Sequence, residues 1–117
     1  MAIAVSSTKT SLAASYAALG VYIGLATGAP GSTSTPSSEV SGGSPSYARV
    51  ATTWSAGTAG VQNGTAVTIN VPTTTTVTYA LTASAATGNV MLDNCAVTST
   101  TYNAQGTAVV TPTYTQS

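Results

Sequence analysis

The sequence predicts an all-β protein: an antiparallel β-sandwich, immunoglobulin-like or jelly-roll-like, with one short N-terminal helix. Three observations carry this. Apolar residues fall in short runs of period two, clearest in TAVTINV (65–71) and PTTTTVTYALTAS (72–84). Turn-forming residues separate these runs at short intervals, with Asn63-Gly64 the strongest signal. Finally, 43% of the 117 residues are hydrophobic but only 3% are charged, so Thr and Ser must keep the outer faces wet.

The helix is expected at 8–19, TKTSLAASYAAL. Alanines favour it, Thr8 or Thr10 can cap it, Leu12, Tyr16 and Leu19 recur at helical spacing, and Gly20 stops it. GVYIGLAT then alternates, with Val21, Ile23 and Leu25 on one face of a strand. Residues 28–46 form a long Gly/Pro/Ser/Thr loop, a composition whose mobility makes a neighbouring subunit the expected source of order. YARVATTW (47–54) reads as a strand followed by a glycine-rich loop to residue 60. In 65–71, Val67, Ile69 and Val71 share a face. In 76–83, Val77, Tyr79, Leu81 and Ala83 point one way, and Thr76, Thr78, Ala80 and Thr82 the other. NVMLDN, CAVTST and TAVVTPTY supply three short strands, separated by Asp93-Asn94 and by 103–106, with Pro112 at an edge, an end or a bulge. The whole, 1–117, is expected to be a single β-sandwich domain, with 1–19 as an arm and short helix. The start is weighed as a signal peptide and assigned to the fold, because Ser11, Ser15, Tyr16 and Tyr22 interrupt its apolar part and Lys9 is its single charge.

Composition excludes several functions. The net charge is zero, so nothing clusters Lys and Arg against phosphates or an anionic membrane, and neither nucleic acid nor membrane is an expected partner. No run approaches the length of a membrane span. Without histidine the commonest general base and metal ligand is missing. Glu39 and Asp93 sit in no paired-carboxylate motif, GAPGSTST lacks the lysine of a phosphate loop, and no hydroxyl nucleophile has an activating base. No catalytic residue, metal ligand or cofactor is therefore expected. Cys95, alone, reads as a small buried hydrophobe. The threonine runs show no fixed period, which disfavours an ice-binding array.

SSEVSGGSPSYARVATTW (37–54) holds the single Glu39, Arg49 and Trp54 of the chain. With two of its four charges around Gly42-Gly43, it is either an active site or a clamp on the loop. The ordered set Pro30-Gly31, Glu39-Val40-Ser41-Gly42-Gly43, Tyr47-Ala48-Arg49 and Thr53-Trp54 resembles a family of small virion proteins of tailed bacteriophages: tail-fibre, minor tail and head-decoration proteins. The likeness runs over most of 20–90 and continues through AQGTAVVTPT. It departs at YIGLATGAP and YALTAS, where the family often carries charged, histidine or Gly-Leu-Trp positions. The resemblance implies a non-enzymatic structural protein on the virion's outer surface, assembled in the host cytoplasm. A capsid decoration protein is the first expectation; a minor tail or fibre protein, or a carbohydrate-binding attachment module, is the alternative. Implied partners are the major capsid or a tail protein and copies of the chain itself, a trimer among them. It also favours the clamp, with Glu39 and Arg49 closing the loop, Gly42 and Gly43 making the turn, and Tyr47 and Trp54 packing beneath. Arg49 as an interface residue is the alternative.

Overall fold

A computed structural model describes residues 3–117; Met1 and Ala2, part of the expected arm, lie outside the described residues. Among those described, one helix and nine strands form a mostly antiparallel β-sandwich, as predicted. Helix α1 spans Ser6–Leu19. The strands are β1 Tyr22–Ala26, β2 Val50–Ala51, β3 Trp54–Ala56, β4 Val61–Gly64, β5 Val67–Val71, β6 Thr75–Ala83, β7 Met91–Tyr102, β8 Gly106–Val110 and β9 Thr113–Thr115. Their sheets are ordered β2-β1-β6-β7, β3-β4-β9 and β5-β8.

The helix differs from expectation in its cap and its buried face. Val5 occupies the N-cap without a side-chain bond, while Thr8 and Thr10 lie inside the helix, where the Thr10 hydroxyl donates to the Ser6 carbonyl. The residues packed inward are Ala13 and Ala17, whereas Leu12 and Leu19 are 42% and 61% exposed. Small side chains let the helix lie close to β3 and β4, so the leucines turn outward. Gly20 ends the helix in extended conformation. A side chain there would run into Leu92 and the Ala83 carbonyl.

The main core lies between the four-stranded sheet and the β5-β8 pair. Ile23 and Leu25 of β1 and Ala80 of β6 meet Val67, Ile69 and Val71 of β5, and all are buried. A second cluster gathers Ala26, Leu81, Ala83 and Met91, with Tyr22 and Tyr79 against it. The predicted period of two therefore holds in β5 (Val67, Ile69, Val71) and in the Tyr79–Ala83 half of β6. Val77 departs from it, packing in the first cluster beside Ala80 rather than with Tyr79 and Leu81. The β6–β7 pairing is interrupted at the same place: Val77 faces Thr100 but Tyr79 faces Ala96, so three residues of β7 oppose Thr78 alone.

Two turn expectations are corrected. Asn63 and Gly64 do not turn; they pair with Ser55 and Trp54 inside the β3–β4 ladder. The hairpin turns instead at Ala59 (φ 52°) and Gly60 (φ 83°), two successive left-handed residues as a tight hairpin requires. Gly64 answers to close approach: a Cβ there would stand 2.5 Å from Pro112 Cγ and 2.8 Å from Thr52 Oγ1. Nor does Asp93-Asn94 divide two strands, because β7 runs unbroken through it. YARVATTW, expected as one strand, is split into β2 and the start of β3; between them the Thr52 amide donates to the Val21 carbonyl at 2.7 Å and the Thr52 hydroxyl to the Thr65 carbonyl at 2.7 Å. Cys95, expected to be buried, is exposed on β7.

The 28–46 loop is held by contacts within its own chain. It leaves β1 and returns beside it: the Thr27 amide donates to Ser38, Ser37 to Pro30 and Val40 to Leu25. Pro30 and Val40 are buried. Farther out, Met91 N donates to the Ser34 carbonyl at 3.0 Å, and Asn94 Nδ2 to the Gly31 carbonyl at 2.9 Å. Backbone bonds and two apolar anchors thus offset the entropy of a Gly/Ser-rich segment.

Candidate functional site

Glu39 stands on the returning limb of the loop, bridged to Ala26 at the end of β1. Arg49 precedes β2, which pairs with the same strand. Both segments thus line the same edge of β1, the one away from β6, and this brings the charges together. Arg49 Nε donates to Glu39 Oε2 and Nη2 to Oε1, each at 2.8 Å, a two-point geometry that only a planar guanidinium makes. Tyr47 joins them: its hydroxyl donates to Glu39 Oε2 at 2.7 Å and accepts the Leu25 amide at 3.0 Å. Arg49 also donates to the Ala85 carbonyl at 3.2 Å and the Gly88 carbonyl at 3.0 Å, which ties the 84–90 turn to the same point.

The cluster is shielded, with the Arg49 side chain 4% and the Glu39 side chain 20% exposed. It is the one ion pair among the described residues. Burial pushes the Glu39 carboxyl up, but the bonds from Arg49 and Tyr47 outweigh this and hold it below the usual carboxylate range. Chiefly through its bond to Glu39, Arg49 is held still more firmly protonated. Burial, above all, raises the Tyr47 hydroxyl well beyond the ordinary tyrosine range. None of the three is poised to exchange a proton near neutrality, so the cluster holds charge rather than moves it.

Gly42 and Gly43 both have positive φ, 85° and 96°, and the Gly42 carbonyl accepts the Tyr47 amide at 2.8 Å. That turn delivers Tyr47 to the pair. Trp54 is placed elsewhere: its indole N–H donates to the Gly20 carbonyl at 3.0 Å, at the end of the helix. The turn also depends on Gln105, from the β7–β8 connection. Its Oε1 accepts the Ser44 amide and its Nε2 donates to the Pro45 carbonyl, each at 3.1 Å. Nothing local in the sequence marks Gln105, since its partners lie some sixty positions away.

A second constellation surrounds Trp54. Tyr16 of α1 and Tyr114 of β9 stack with ring centres 3.7 Å apart and planes 7° from parallel. Together with Trp54, Asp93, Asn94 and Thr113 they line an open pocket of about 260 Å³. The Tyr16 hydroxyl bonds to Thr82 Oγ1 at 2.9 Å. No group of three or more metal-ligating side chains occurs among the described residues, and no helix there is long and apolar enough to cross a membrane.

A β-sandwich whose buried ionic cluster is locked and whose outer strands are wide open has the features of a structural or binding protein. The chain belongs to the podophage GP4 fiber I protein gp80 family, whose model matches residues 8–116. It is thus a structural bacteriophage protein, of a fibre family associated with other virion components. Comparison with curated proteins and with solved structures returns no match.

Proposed function

We propose that the chain is a non-enzymatic fibre subunit, carried in several copies on the outer surface of a tailed-phage virion after assembly in the host cytoplasm. The observation that carries this reading is the fibre-family match over nearly the whole chain. It moves the reading from the capsid decoration expected first to the fibre expected as its alternative. The surface supports it. β7, twelve residues long, is an edge strand exposed along most of its length, and among the described residues β8 has β5 as its only strand neighbour. Val97 and Val109 on these strands are 37% and 69% exposed, and no Lys guards either edge. A surface this poor in charge repels its own copies weakly. Closed cyclic symmetry is the default for like copies, and we take a trimer as the arrangement, set against a tail or capsid protein.

Within that subunit, 1–117 acts as one domain, and the Glu39–Arg49–Tyr47 cluster serves as the clamp that keeps the 28–46 loop against β1. Sedimentation of the purified chain with virion particles lacking it tests the assignment. Pelleting that saturates at several copies per particle is expected. A chain that stays monomeric and binds neither tails nor capsids contradicts it.

A further inference from the structure

The pocket beside Trp54 belongs to no part of the clamp, and its chemistry is selective. Three of the seven aromatic side chains in the sequence meet there, from α1, β3 and β9. An aromatic ring presents a negative face that attracts polarised C–H groups. Asp93 lines the same pocket, close to the Tyr16 hydroxyl; it is one of the two charges outside the clamp and is in no ion pair among the described residues. Its Oδ1 accepts the Asn94 amide at 2.8 Å, which orients the carboxylate. The Asn94 side-chain nitrogen is committed to the Gly31 carbonyl, leaving its Oδ1 available as an acceptor. Thr113 adds an exposed hydroxyl.

Among the described residues no cation lines this pocket, so a phosphate, sulfate or uronate would meet Asp93 without compensation. An apolar ligand would leave the carboxylate facing carbon. What fits is a neutral molecule with one C–H face and several hydroxyl donors. A volume of about 260 Å³, just below the usual ~300–1,000 Å³ of small-molecule sites, suits a single ring.

We propose that this pocket binds a neutral pyranoside, its C–H face against the aromatic wall and its hydroxyls donating to Asp93 and Asn94 Oδ1. On the virion such a site would attach the fibre to a saccharide surface. That setting rests on the fibre reading, whereas binding itself is a property of the isolated chain, so either can fail alone.

The test is saturation-transfer NMR on the purified full-length chain with methyl glucoside, methyl galactoside, N-acetylglucosamine and rhamnose, and with glucuronate and adenosine as controls. At least one neutral sugar is expected to take saturation through its ring C–H protons, and to slow alkylation of Cys95, which lines the same pocket. Asp93→Asn should weaken its affinity about tenfold, as loss of a hydrogen bond to a charged acceptor does. Tyr114→Ala should abolish the transfer; circular dichroism and melting confirm that each variant is folded, and Asp93→Asn alone decides if Tyr114→Ala is not. Transfer to none of the four sugars, preference for glucuronate or adenosine, or unchanged affinity in Asp93→Asn overturns the proposal.

Discussion

Arg49 holds both carboxylate oxygens of Glu39 at 2.8 Å, beside one edge of β1, with its own side chain almost fully enclosed. In the open, such a pair would contribute about 1 kcal/mol or less. Enclosed, its value lies in what remains when it is broken. Removing the carboxylate leaves a guanidinium with its charge unmatched and only the Ala85 and Gly88 carbonyls to meet.

Glu39→Ala should therefore destabilise the chain by about 3 kcal/mol, the lower end for a broken buried pair. At this size that is a fall in melting temperature on the order of 10–20 °C. The 28–46 loop should become the first site of proteolysis. Arg49→Lys, which cannot make the two-point bond, should cost less than Glu39→Ala but more than an exposed substitution such as Ser41→Ala. A Glu39→Ala melting temperature equal to that of the parent would leave Arg49 as an interface residue instead.

The pH profile follows from the same cluster. Glu39 titrates lower in the folded chain than in the unfolded one, so its contribution is complete above the unfolded value of 4.5 and is lost as pH falls through the folded value. Tyr47 and Tyr16 titrate higher when folded, so their contribution is complete below the unfolded value of 10.0 and is lost as pH rises above it. With no histidine in the chain, melting temperature should be flat between about pH 5 and 9. Melting curves across pH check this, and Glu39→Gln should remove the acid limb selectively.

Gly64 tests the corrected hairpin. Because its Cβ would press on Pro112 and Thr52, Gly64→Ala should push β4 away from the β8–β9 connection and cost about 1–3 kcal/mol, as overpacking does. Asn63→Ala, at an exposed strand position, should cost little. Equal losses at both positions would return the turn to Asn63-Gly64.

Cys95 should react with a thiol reagent in the native protein at nearly its unfolded rate, since it is exposed. Strong protection in the folded state would mean that β7 is covered by another chain even in isolation.

Where the sequence was readable, neighbouring residues settled the matter. β5 is legible because Val67, Ile69 and Val71 alternate and all three face one core. Glu39 and Arg49 could be paired on paper because they are ten positions apart around two glycines. The misread elements were set by distant partners. Gly64 looks like a turn residue, and only Pro112 and Thr52 explain it. Leu12 and Leu19 look like the buried stripe of a helix, but contact with β3 and β4 selects Ala13 and Ala17. Asp93-Asn94 looks like a turn because nothing nearby reveals that β6 carries β7 straight through it. Gln105 and the Tyr16–Tyr114 stack join residues too far apart in the chain for any local pattern to announce.

The most direct measurement is cryo-electron microscopy of the intact virion, at a resolution that traces β-strands. This β-sandwich is expected in several symmetric copies within fibres on the particle's outer surface, with β7 and β8 turned toward neighbouring chains. Density for the chain inside the capsid or tail tube, or a mature virion that contains none of it, would contradict that.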